Sequence, residues 1–291
     1  MMNNIAIVTA DQANCITHGG VFHADEVFAS AMLCAITEVR LARVFRVPED
    51  TTAIVYDIGG GEYDHHQKGG NGAREDGTPY ASAGLIWKDF GKDVVKTYGV
   101  PEEDLQDVVD SVDRSLIKWI DAADNGYGEV AGASISSAVS SFNPCWDEEA
   151  SADEKFLLAV EFAAGILERE IRSAASAAKA KSLVKEAIES AEGHTMVLDR
   201  FMPWQEPLFD ADAEENIWYV VFPSIRGGYN VQCVPDAPGS FGQRHPLPVE
   251  WKGNASATGI EDCTFVHNAG FIASCGTLEG ALAFAKKAAS F

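Results

Sequence analysis

Four of the chain's seven histidines fall before residue 70, in short segments that also hold carboxylates. THGGVFHADE carries His18, His23, Asp25 and Glu26 around a pair of glycines, and AIVYD ends in Asp57. YDHHQ places Asp64, His65 and His66 side by side, and WIDAADNG carries Asp121 and Asp124. Imidazoles and carboxylates without thiolates form a donor set for Mn, Zn, Mg or Fe rather than for a soft metal. Two divalent ions about 3.5–4 Å apart clamp a phosphoryl group and lower the pKa of a bound water, which yields a nucleophile at neutral pH. One carboxylate has to bridge such a pair, and Asp57 is the candidate. Each segment has a plainer reading: YDHHQ as a polar surface turn, Asp124-Asn-Gly as an ordinary helix ending. Their recurrence in one half of the chain favours a shared metal site.

These residues need a scaffold that brings distant segments together. NIAIVTA (4–10), NCITH and TAIVYDI (52–58) are short and β-branched, as strands are. Residues 24–39 carry Val27, Phe28, Ala31, Met32, Ala35 and Ile36 at helical spacing, and residues 81–99 and 101–126 also read as helices, with Pro101 suited to a first turn. Strand–helix alternation predicts a mostly parallel sheet flanked by helices. In such sheets ligands bind at the carboxyl ends of the strands, where His18 and Asp57 fall. Residues 127–152 read as a loop with a short element. A long Ala-rich helix is expected over 153–192, stopped by Gly193. The remaining strand-like runs, HTMVLD, NIWYVVFPS, YNVQCVP, CTFVHN and GFIAS, close on a last helix. The expected fold is therefore α/β: an N-terminal metal-binding domain (1–152), a helical connector (153–192) and a smaller α+β substrate-binding domain (193–291).

Lys and Arg number 22 against 44 Asp and Glu, a formal net charge of −22 in 291 residues. Proteins that grip long nucleic acid through its phosphates carry a basic footprint, so this balance favours a short substrate. The six cysteines form no C-x-x-C pair and read as buried reduced thiols rather than a zinc cluster or disulfide framework. No apolar run approaches the roughly 20 residues that span a bilayer. The first residues, MMNNIAIVTADQAN, lack a basic n-region and cleavage-like site. A cytoplasmic protein without membrane partners is expected; an oligomer remains open.

The Asp64-His65-His66 segment resembles the motif that names the DHH phosphoesterases, which include RecJ-type exonucleases, oligonucleotide and cyclic-dinucleotide phosphodiesterases and family II pyrophosphatases. More closely, THGGVFHADEVFASAML, YDHHQ, IDAADNG, VQCVPDAPGSFGQRHPLPVEWKG and GIEDCTFVHNAGFIASCGTLEGALAFAKKA resemble the melanocyte-proliferating-gene (Myg) branch. These segments run from residue 17 to 288, nearly the whole chain. The resemblance implies a DHH-like catalytic domain in which His18, His23, Asp25, Asp57, His65 and Asp124 hold two divalent ions, Mn first with Mg or Zn as options. Asp121, one helical turn before Asp124, is the fallback ligand. His23 stands where the wider superfamily usually has Asp. The resemblance also places His66 near substrate as an acid or donor, has Asp64 orient a histidine from behind, and sets substrate in a cleft between domains.

The second half offers substrate-binding candidates. Arg226 lies beside two glycines in SIRGG, Arg244 and His245 lie in GQRHP, and His267 closes a strand in TFVHN, where it is expected to assist the leaving group or position a phosphate. A guanidinium with backbone N–H groups suits a phosphate. The leading expectation is a metal-dependent phosphoesterase, with 3′–5′ exonuclease action on RNA or short oligonucleotides as the Myg resemblance implies. Nucleotide phosphodiesterase and pyrophosphatase action are the alternatives within that class, and a non-catalytic metal-binding interaction protein is the alternative outside it. A zinc amidohydrolase is disfavoured because no H-x-H occurs.

Overall fold

The structure is a computed structural model and describes residues 4–128 and 132–291; part of the expected loop over 127–152, residues 129–131, lies outside them. Two compact units divide the chain, Met1–Ala175 and Ser176–Phe291.

The first unit begins with β1 (Ile5–Ile7), β2 (Cys15–His18), α1 (Ala24–Ile36), β3 (Val39–Val44) and β4 (Ile54–Val55). The strands form one all-parallel sheet in the order β1-β3-β2-β4. The sequence pattern hides β3, because two arginines interrupt VRLARV. Val39 and Leu41 face the core and Arg40 faces solvent, the ordinary period of two. Arg43 is drawn inward instead. Its guanidinium is 2.8 Å from both the Asp153 carboxylate and the Gly20 carbonyl and sits over the rings of Phe22 and Phe156. Sheet and helices cover α1 on all sides, and it is buried from Ala24 to Ala35, as befits a helix apolar around most of its circumference.

Next come α2 (Ser82–Lys96), α3 (Leu105–Val112), α4 (Lys118–Asp124), α5 (Ile135–Ser140) and α6 (Ala152–Glu189). The single helix expected over 101–126 is broken by a π-helical turn, Asp113–Ile117. There Asp113 forms a two-point ion pair with Arg74 (2.6 and 2.8 Å). The extra residue of a π turn re-phases the side chains that follow, and α4 ends by presenting Asp121 and Asp124 to different neighbours. Helix α2 crosses α4 closely at Gly84, where a Cβ would collide with the Asp121 carboxylate and the Tyr80 ring. In the first unit α6 buries Phe156, Val160, Ala163, Leu167 and Ile171, an i, i+4, i+7 stripe, with Phe156 edge-on to Phe22.

The second unit adds β5 (Thr195–Val197), α7 (Gln205–Ala211), β6 (Tyr219–Pro223), β7 (Tyr229–Cys233), β8 (Cys263–Val266), β9 (Ile272–Cys275) and α8 (Leu278–Ala288). Its sheet runs β5-β6-β7-β9-β8; β5 pairs with β6 in parallel and the other pairs are antiparallel. Alternation along β6 sends Tyr219 and Val221 to a core with Phe284 of α8, and Val220 and Phe222 to one with Val184 of α6 and Leu208 of α7. This is the α+β arrangement expected. Among the described residues no helix is long and apolar enough to cross a membrane.

Gly84→Ala forces the α2–α4 crossing apart. Overpacking of this kind costs about 1–3 kcal/mol, and a thermal melt of the variant is expected to show a midpoint several degrees lower, with the circular dichroism of the folded state retained.

Candidate metal centre

The site grows from three backbone devices. The first is the turn between β2 and α1, which carries His18 and His23. Gly19 N–H donates to Val44 (2.8 Å), Arg43 holds the Gly20 carbonyl, and the Asn143 side chain clasps both backbone polar groups of Phe22 (3.0 and 2.8 Å). Glu26 closes the turn by accepting the His23 N–H (2.9 Å), an acid in the first turn of a helix, where the dipole favours it.

The second device is the loop after β4. Asp57 has φ +57°, in the left-handed region, which non-glycine residues seldom occupy but Asp tolerates better than most. Its N–H donates to the Tyr63 carbonyl (3.0 Å), closing a loop through Gly59 (φ +90°) and Gly60 (φ +69°). Asp64 pins this loop: one oxygen takes the Gly60 N–H (2.6 Å), the other the His66 N–H (3.0 Å) and the His66 ring at Nδ1 (2.9 Å). Burial would raise the Asp64 pKa, but these contacts outweigh it and hold the carboxyl below its usual range. Asp64 thus orients His66, whose ring stacks on His65 at 4.2 Å.

The third device is the end of α4. Asp124 lies 2.9 Å from His65 Nε2. Burial raises the Asp124 pKa, and the His65 contact more than reverses this. Asp121 faces elsewhere: one oxygen accepts the Gly84 N–H (2.9 Å) and the other is 2.9 Å from Arg74. Burial pushes Asp121 up to about 7 despite Arg74.

Together these devices crowd ligand atoms into one place. His18 Nε2 lies 3.0 Å from Glu26 and 3.2 Å from Asp57. His65 Nδ1 lies 3.7 Å from Asp57 and 3.8 Å from Asp25. Three overlapping groups could each hold a metal ion, with their ligand atoms within 4.8 Å of one another: His18, His23, Glu26 and Asp57; Asp57, Asp64, His65 and His66; and His23, Asp25 and Asp124. Asp57 belongs to two of them and is 2% exposed. Asp25 is held well above the carboxylate range by burial first, then by the charges of Asp57, Glu26 and Asp124. His18 is pushed up to about 10 by its contacts with Asp57 and Glu26.

Buried atoms left without an aligned hydrogen bond include both oxygens of Asp57, Asp25 Oδ1 and His65 Nδ1. Buried polar atoms are normally satisfied. Here several orphans converge, mixing imidazole nitrogen with carboxylate oxygen, and this donor set fits divalent cations. A cavity of about 410 Å³ opens over the cluster, lined by His23, His65, His66, Asp124, Asn125, Ser136 and Ser140.

The first unit thus brings together His18, His23, Asp25, Asp57, Asp64, His65, His66 and Asp124, and turns Asp121 towards Arg74. Glu26, metal-competent by type but absent from the ligand set the resemblance implies, joins them. Its signal was the capping position three residues after His23. Ser136 and Ser140 had no signal beyond a serine-rich loop. In the second unit, Arg226 lines a separate cavity of about 440 Å³ with Asn230, Phe265 and Ser274. Arg244 is buried against Asp212 (2.6 Å) and the Ile217 carbonyl (3.0 Å). His245 stacks on Trp218 at 4.5 Å and meets the Tyr219 hydroxyl (2.8 Å), while His267 accepts the Ala269 N–H (3.0 Å).

Residues 14–289 match the family model MYG1_exonuc, described as an uncharacterised protein family (UPF0160). The chain belongs to this family. It is 34% identical to the MYG1 protein of Schizosaccharomyces pombe, over 100% of this chain and 99% of that one. Identity to the MYG1 protein of Saccharomyces cerevisiae is 32%, over 93% and 94%. The human relative, named MYG1 exonuclease, is 32% identical over 93% of this chain and 84% of its own. Among solved structures, Thermus thermophilus RecJ in complex with Mn2+ aligns with 97% of this chain and 53% of its own, at 15% identity and a TM-score of 0.27.

Asp25→Asn keeps the shape and the acceptor for the Ser82 N–H (3.2 Å) while removing one charge from the cluster. The folded state raises the Asp25 pKa, so at neutral pH the charged form opposes folding. The metal-free variant is therefore expected to melt higher than the metal-free wild type, and to bind Mn at least about tenfold more weakly by isothermal titration. The His18 proton must leave before Nε2 can take an ion. Between the ordinary histidine value of 6.5 and about 10, metal affinity is expected to rise with pH, by about tenfold per unit for this one proton. Titrations at pH 7, 8 and 9 measure the slope.

Proposed function

We propose that the chain is a metal-dependent phosphoesterase of exonuclease type, releasing nucleotides from the 3′ end of RNA or short oligonucleotides with two divalent ions, Mn foremost. The observation that carries this reading is the clustering of unsatisfied buried Asp57, Asp25 and His65 atoms beside a cavity that His65, His23 and Asp124 line. Such a cluster of orphans is expensive unless a cation completes it. The exonuclease name of the mammalian relatives supports the reaction class. The charge of −22 supports a short substrate, because away from the cleft a long polyanion is repelled.

In this reading His18, His23, Glu26 and Asp57 hold one ion, and Asp57, His65, Asp25 and Asp124 hold the other. Asp57 would serve both ions, since one of its oxygens lies 3.2 Å from His18 Nε2 and the other 3.7 Å from His65 Nδ1. Asp124 is the ligand at the end of α4; Asp121, tied to Arg74 and Gly84, holds that helix end in place. The bound ions supply Lewis acidity towards the phosphoryl oxygens and lower the pKa of the attacking water. His66, exposed at the cavity with Nδ1 fixed by Asp64, is the donor to the leaving oxygen. Arg226, with its guanidinium exposed, receives substrate phosphate in the second unit, and His267 positions it.

The test is turnover of Mn-loaded protein on short RNA, short DNA, a cyclic dinucleotide and pyrophosphate. Short RNA is expected to be cleaved from its 3′ end, with activity lost on chelation and restored by Mn. Asp57→Ala and His65→Ala are expected to lose more than about a hundredfold in kcat. Asp121→Ala, which removes the acceptor of the Gly84 N–H and the partner of Arg74, is expected to lower the melting temperature while retaining metal binding. Undiminished turnover in Asp57→Ala or His65→Ala would rule the assignment out.

A further inference from the structure

The cysteines carry a second chemistry that the metal site does not use. Cys263 on β8 and Cys275 on β9 are direct partners across an antiparallel pair. The Gly276 N–H donates to the Asp262 carbonyl (2.9 Å), so Cys263 and Cys275 form a non-hydrogen-bonded pair. In such pairs the Cα atoms approach to about 4.5 Å, within the range of roughly 4.4–6.8 Å that a disulfide spans. The chain bulges just after Cys263, giving β8 local freedom to adjust.

The two thiols are not equivalent. Cys275 is buried, whereas Cys263 is partly exposed beside the edge of the sheet. The Cys263 thiol reaches the Phe265 carbonyl (3.8 Å), and its contact with Cys275 first, with help from the Thr258 hydroxyl, holds Cys263 down at about 7. The same contact and burial push Cys275 upward. A thiolate near neutral pH is the reactive form of cysteine. Cys15, Cys34 and Cys233 are buried and pushed up to about 12, 11 and 12, chiefly by desolvation. Cys145 is exposed but lies in the first unit, with no strand partner.

We propose that Cys263 and Cys275 are a dithiol modification site that reacts with a peroxide and closes to an intramolecular disulfide. The Cys263 thiolate attacks one peroxide oxygen. The S–O bond forms, the O–O bond breaks, and the departing hydroxide takes up a proton as water, leaving a sulfenic acid. Cys263 has lost two electrons and the peroxide has gained them. Cys275 then gives up its proton, and its sulfur attacks that of Cys263. The S–S bond forms, the S–O bond breaks, and the second hydroxide leaves as water with that proton. Two thiols and one hydrogen peroxide give one disulfide and two waters. The bond would close the hairpin whose turn carries His267, a cross-link across residues 263–275.

The test uses the full chain, treated with dilute hydrogen peroxide, blocked with an alkylating reagent and mapped without reduction. The expected product is a peptide pair linked through Cys263 and Cys275, an intact mass lower by two hydrogens, and reversal by a dithiol reductant. Cys275→Ser is expected to stop at a Cys263 sulfenic acid that a cyclic diketone probe traps. Cys263→Ser is expected to leave Cys275 unmodified. Oxidation of Cys145 without any linked peptide would overturn the proposal in the unmutated protein, whatever the fate of the variants. Linkage through any other pair would overturn it equally.

Discussion

The first unit is organised around one electrostatic problem: Asp25, Glu26, Asp57 and Asp124 crowd together where water is scarce. Neighbouring negative charges disfavour ionisation and close approach. The protonated His18 imidazole and the His65 ring offset part of this repulsion, and the orphaned oxygens of Asp57 show that the offset is incomplete. Everything that holds the site shut acts against the same force. Arg43, Asn143 and the Glu26 cap fix one loop; Asp64 fixes the other; the Gly84–Asp121–Arg74 contacts fix the end of α4. Stability spent on assembling such a cluster is the usual signature of a site built for a ligand.

Much of this was legible in the chain. The strand–helix alternation and the end of β2 at His18 followed from short β-branched runs and a glycine turn. The metal-competent segments announced themselves by residue type. The segments that failed to show did so for physical reasons. β3 carries two arginines, one of which is inside only because Asp153, Gly20 and two aromatic rings satisfy it. Helix continuity over 101–126 looked sound because no proline or glycine interrupts it, yet an ion pair with Arg74 stabilises a wider turn that no local propensity encodes.

The distinction between Asp121 and Asp124 shows the same limit. Both are acids on one short helix, one turn apart. Only the tertiary arrangement decides that Asp121 meets a glycine amide and a guanidinium while Asp124 meets an imidazole. Arg244 and Arg226 divide in a similar way. GQRHP and SIRGG look equally ready for phosphate, but Arg244 is buried on Asp212 and Arg226 stays free to line a cavity.

The left-handed backbone of Asp57 narrows what natural variation can do at the centre of the site. A β-branched or bulky residue there would strain the loop itself, whereas asparagine or glycine accepts the same turn. Asparagine or glycine at position 57 would therefore keep this turn while taking a carboxylate away from the cluster, so that the loop and the charge it carries can vary separately.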